Sequence, residues 1–171
     1  MPTPYALTVD AGLRDLRAAD RLLHTLAAEL ALPEGTFGCT HLVRDDAPRV
    51  VVSLALPTDP LLRTAREQLT AQGYEVSSGV PDAVGRAVLY PGVAELTGTL
   101  TVGDVPARSA IDRVTVLGSP SRPDPRAHLV TGDHVRPQWQ HGELVLTAMP
   151  AAGGTLAPFE VPAPTPCCAD H

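Results

Sequence analysis

A chain of 171 residues that is 44% apolar and 19% charged can build a packed core and is too apolar to stay disordered. A net charge of −6, with no basic run and no arginine-rich helix face, disfavours nucleic acid and anionic membrane surfaces as partners. All 13 basic residues are Arg, and without Lys neither a Schiff base nor a P-loop contact can form.

Residues 5–9 read as a short strand, and Asp10 as the cap of a helix over residues 11–31. Leu16, Ala19, Leu23, Leu26 and Leu30 recur every three or four positions, which is one apolar stripe, and Pro33 and Gly35 end it. Residues 39–44 read as a second strand, followed by the turn Asp45-Asp46-Ala47-Pro48. Residues 50–56 are the clearest strand. Their near-continuous apolar run predicts burial on both faces, with Val52 fully enclosed.

Asp59 reads as the cap and Pro60 as the first residue of a second helix over residues 59–72. Leu62, Ala65 and Leu69 form its stripe, and Gly73 suits its C′ position. Residues 74–78 follow as a strand. The order strand, helix, strand, strand, helix, strand is that of a ferredoxin-like, or split βαβ, unit, and predicts both helices on one face of a sheet.

Beyond residue 81 no helical periodicity outlasts a turn. Strands are expected near residues 86–90, 95–102, 111–117, 128–131, 143–148 and 157–161. Gly103-Asp104, Gly132-Asp133, His141-Gly142 and Gly153-Gly154 punctuate them. The expected whole is an α+β chain in three parts: a ferredoxin-like half at 1–80, an antiparallel β meander or small barrel at 81–157, and an extended tail at 158–171. Pro158, Pro162, Pro164 and Pro166 keep that tail out of helix and central strand.

The tail ends Cys167-Cys168-Ala169-Asp170-His171. Thiolates are soft ligands, so Cys167, Cys168 and His171 are candidates to hold zinc or another thiophilic metal. Cys39 and His41 alternate on one face of a strand and are the natural completing ligands. Adjacent cysteines chelate a single ion awkwardly, so a thiol couple or a bystander pair is the competing expectation. Three cysteines do not make a secreted disulfide scaffold, and Met-Pro-Thr-Pro-Tyr carries neither a basic nor an apolar leader region, so a cytoplasmic location is expected.

Cys167-Cys168-Ala169 resembles the C-terminal tail of mercuric reductases, which implies handling of a thiophilic ion. The match covers three residues, and the Gly-rich dinucleotide fingerprint of that flavoenzyme is missing. His141-Gly142-Glu143 followed by Pro166-Cys167 is similar to the zinc-deaminase pattern H-x-E…P-C-x-x-C, but Cys168 follows directly and Asp170 stands where the second cysteine belongs.

Asp133 beside His134, with Arg136 two residues on, can orient an imidazole for acid–base work or form a plain turn. His24 is expected in solvent, His128 as a structural histidine, and Trp139 as a core, rim or partner-anchoring residue. The motifs G-x-S-x-G, H-E-x-x-H, G-x-G-x-x-G and the EF-hand loop are absent. These features favour a non-enzymatic module that binds a protein partner or a thiophilic metal, as a homo-oligomer or part of an assembly. The alternatives are a metal- or thiol-dependent enzyme using the terminal cysteines and a small-ligand sensor on the ferredoxin-like half.

Overall fold

The protein, a computed structural model, is described over residues 4–162. It is a mixed α+β fold with one multi-stranded sheet and three helices. The first elements are β1 (Ala6–Leu13), α1 (Leu16–Glu29), β2 (Phe37–Val43), β3 (Arg49–Ala55), α2 (Asp59–Ala71) and β4 (Glu75–Ser78). Their strands lie in the order β4-β1-β3-β2, with every pairing antiparallel.

The sheet then continues through β5 (Arg86–Leu89), which pairs with β2. Beyond it come β6 (Thr99–Thr101), α3 (Asp104–Arg108), β7 (Arg113–Val116), β8 (His128–Val130), β9 (Gln138–Gln140), β10 (Glu143–Pro150) and β11 (Leu156–Pro158). The spatial order after β5 is β9-β10-β11-β8-β6, and β7 lies beside β10 off this path. The pairs β7–β10 and β8–β11 are parallel, so this half mixes strand directions instead of meandering antiparallel throughout.

Helix α1 begins later than the sequence expectation, and α2 begins at Asp59 as expected but with its cap one residue earlier. Strand β1 runs on to Leu13 through an irregular register after Val9, with Gly12 at φ +67°. Asp10 is spent there: its Oδ1 accepts from the Gly12 N–H at 3.0 Å, and Oδ2 pairs with Arg49 Nε at 2.5 Å. The α1 cap is instead Asp15, whose carboxylate accepts from the Ala18 N–H at 2.8 Å. Helix α2 is capped by Thr58, so Asp59 and Pro60 open its first turn, where a missing N–H costs nothing. Gly73, at φ +89°, takes the left-handed position after the helix as expected.

Two cores lie on opposite faces of the first four strands. Leu7, Val9, Val52 and Leu54 face the helices and are fully buried with Leu23, Leu26 and Leu69. Phe37, Cys39, Ala55 and Ala87 face away and join Val105, Ile111, Leu129, Leu144 and Leu146 of the second half. That double cover is the physical reason for the apolar run through β3. Strand β9 is Gln-Trp-Gln, too polar and short to be read from pattern. His128 is exposed on β8, where alternation turns it outward, and is not a buried structural histidine. No helix among the described residues is long and apolar enough to cross a membrane.

Candidate functional site

The antiparallel register sets Cys39 opposite Ser53, and Ser53 opposite Thr8 on its other side. Alternation then puts Phe37, Cys39, His41, Ser53 and Ala55 on the face turned away from the helices. Residues 80–85 and the β9–β10 turn close over this face and leave a cavity of about 480 Å³. Cavities of this size hold small organic ligands. A wider groove of about 820 Å³, by residues 32–36, 89–95 and 107–110, contains no histidine and only one aromatic side chain, Tyr90.

Two polar side chains form the floor of the smaller cavity. His41 and Ser53 are only 4% and 3% exposed. His41 Nδ1 lies 3.2 Å from the Ala83 carbonyl oxygen, and Nε2 lies 2.7 Å from Ser53 Oγ. A carbonyl can only accept, so Nδ1 carries the proton, and in the neutral ring Nε2 accepts the hydroxyl hydrogen of Ser53. Burial holds the imidazole pKa below its ordinary 6.5, with backbone contacts to Ala83 and Val84 opposing only in part. The ring is therefore neutral at neutral pH.

Cys39 is a free, buried thiol. Burial pushes its pKa up to about 12, and the indole N–H of Trp139 pulls it back only in part. It is accordingly a protonated thiol and a poor nucleophile. The same indole N–H is buried and meets no partner at full hydrogen-bond geometry among the described residues. The Trp139 ring packs against Phe37 at 5.6 Å between centroids, tilted by 49°. Gly85 makes the close approach possible: a Cβ there would stand 3.1 Å from Trp139 Cδ1 and 3.3 Å from His41 Cε1.

A second cluster lies on the helix side. Arg86, 7% exposed, holds Asp20 through its two Nη atoms at 2.7 and 3.1 Å. Its Nε and Nη2 hold Glu160 at 2.6 and 2.7 Å. Arg136 Nε reaches Asp20 at 3.2 Å, and His134 Nε2 reaches Glu160 at 2.7 Å. Burial pushes both carboxyl groups up, but the arginine contacts outweigh it, and Asp20 and Glu160 titrate below their ordinary ranges. This network ties α1, β5 and the segment after β11 together.

The expected site residues separate accordingly. Cys39 and His41 share one wall, as their alternation predicts, but both His41 nitrogens are engaged. Among the described residues no group of three His, Cys, Asp or Glu side chains could hold a metal ion. Cys167, Cys168 and His171 lie outside the described residues. Asp133 does not orient His134; it accepts from the Gly98 N–H at 2.8 Å, while His134 turns to Glu160. Glu143 pairs with Arg113 at 2.7 Å, away from the histidine two positions before it, and His141 lines the cavity. His24 is exposed, as expected.

Ser53 and residues 80–85 are not among the sequence candidates, and Trp139 is expected there as a core, rim or partner-anchoring residue rather than as the wall of a cavity. Ser53 had a signal: it is the one hydroxyl in the run of residues 50–56, and a polar group in a buried strand needs a partner.

No family model, curated protein or solved structure matches this chain.

Proposed function

We propose that this chain is a cytoplasmic, non-enzymatic module that binds a small molecule in the cavity on the outer face of its first four strands. On this reading the first half is a ferredoxin-like unit, and the second half serves as a lid that completes the pocket. The observation that carries it is a cavity of about 480 Å³ with aromatic side chains in its wall and the buried His41–Ser53 pair at its floor. A mostly apolar enclosure with a few converging polar groups is the ordinary make-up of a ligand site. Catalysis has less support, because the Cys39 thiol stays protonated and the Ser53 hydroxyl sits in the middle of a central strand.

Trp139 is the only tryptophan, so its indole N–H gives one proton resonance beside the cavity. A fragment screen followed by that resonance tests the proposal. Hits should move the Trp139 signal and raise the melting temperature in proportion to occupancy. Hits that bind only elsewhere, or none at all, would sink it. The metal reading, with Cys39 and His41 completing a site for Cys167, Cys168 and His171, requires His41 to release Ser53 or Ala83. Elemental analysis of the purified full chain decides that reading, and native mass measurement decides between a homo-oligomer or assembly and a monomer.

A further inference from the structure

The ligand chemistry of the cavity follows from the direction of its hydrogen bonds, given the binding reading above. The Ala83 carbonyl takes the Nδ1 proton of His41, and His41 Nε2 takes the Ser53 hydroxyl proton. Ser53 Oγ then has no proton left to donate and offers a ligand only its lone pairs. The fixed charge has the same bias. Asp82 is the one carboxylate lining the cavity, it is exposed, and no arginine lines the wall. The chain has no Lys to lend from elsewhere.

A carboxylate or phosphate entering here would lose water and find no arginine or lysine as counter-charge, with only the neutral Trp139 N–H and the outer His141 to offer in exchange. An ammonium group would meet the Ser53 lone pairs and the field of Asp82. The aromatic rings of Phe37 and Trp139 add an electron-rich surface that attracts cations and packs against apolar groups. We propose that the cavity takes a primary amine carried on an aromatic or apolar body. The body lies against Phe37 and Trp139, and the ammonium donates to Ser53 Oγ and is balanced by Asp82. The exposed imidazole of His141, also in the wall, stands at the mouth.

Phenethylamine, phenethyl alcohol and phenylacetate share one aromatic body and differ in the head group, so they separate charge from shape. They are titrated against the full chain at neutral pH and read through Trp139. The amine should bind at least about tenfold tighter than the carboxylate, with the alcohol between them. Asp82→Asn, at an exposed position that does not endanger folding, should weaken the amine several-fold and leave the alcohol unchanged. Ser53→Ala should weaken both. The carboxylate binding tightest would overturn the amine assignment and leave the cavity standing as a binding site. An amine affinity unaltered by Asp82→Asn would also overturn it. If none of the three moves the Trp139 signal, the amine assignment is wrong, and the fragment screen separately decides whether the cavity binds anything.

Discussion

His41 and Ser53 depend on each other in surroundings that are otherwise apolar, and this makes the chain sensitive to mild acid. Burial holds the folded-state pKa of His41 below the ordinary 6.5. As pH falls below about 6.5, the unfolded chain takes up its proton first, so stability falls with pH. The contribution is complete above the unfolded value and is lost as pH drops through the folded one. Asp20 and Glu160 act in the same direction but lower, because their folded values lie under the ordinary 3.8 and 4.5. Urea unfolding at about pH 7.5 and about pH 5 should show a clear loss of stability in the wild type, in the window where histidine rather than carboxylate titrates. His41→Gln keeps a polar group of similar reach but no titration, and its loss over the same window should be smaller. Equal losses in the two proteins would show that His41 is not the group responsible.

Arg86 is the corresponding point at the level of elements. Strand β5 delivers it to α1 through Asp20 and to the segment after β11 through Glu160. Its two forks are bidentate, the geometry in which arginine binds carboxylates most strongly. Arg86→Met leaves two carboxylates short of a partner in a largely buried site, and should cost ~3 kcal/mol or more by chemical denaturation. Adding Glu160→Gln should recover part of that cost, because Asp20 keeps Arg136 while Glu160 is left with His134 alone. A single-variant loss under ~1 kcal/mol would mean that water already screens the network as it screens surface pairs. None of this network could be read from sequence. Arg86 lies 66 residues from Asp20 and 74 from Glu160, and Arg136 lies 116 from Asp20. What local reading offered was Asp133 next to His134, and the fold chose a glutamate 26 residues on. The helices were legible because Leu23, Leu26 and Leu69 recur at helical spacing and are all buried. The start of α1 was not, because Asp10 and Asp15 are equally good caps and a bulge at Gly12 decided between them. In the site, the shared face of Cys39 and His41 was legible from alternation. Residues 80–85 reach it through pairing of β5 with β2, and Trp139 through pairing of β5 with β9, which no local pattern encodes.

At the scale of the whole molecule, the first four strands form a sheet whose two faces are both covered. The helix face is closed mainly by α1 and α2, with Val88 of β5 joining that core. The other face is closed by the second half, where Phe37, Cys39 and Ala55 join a core that includes Ile111, Leu129, Leu144 and Leu146. The open edge of β2 is likewise taken by β5. Residues 1–80 on their own would therefore present an apolar sheet face and an unpaired edge strand to water, the combination that drives association between chains. Expressed alone, that fragment should aggregate or stay expanded, bind a hydrophobic dye and melt without a sharp transition. Covering only one face does not bury enough apolar surface to offset the chain entropy of a unit this small. The full chain should instead unfold in one step, with the Trp139 signal and the helical signal of α1 and α2 changing at the same denaturant concentration. A soluble monomeric fragment with a cooperative melt would show that the first half is a free-standing domain. Two separated transitions in the full chain would show the same from the other side. In either case the lid over the cavity could open without unfolding its floor. A single shared transition would instead mean that the wall carrying Trp139 and the floor carrying His41 and Ser53 are held by one folding event, so that a ligand bound between them stabilises the entire chain.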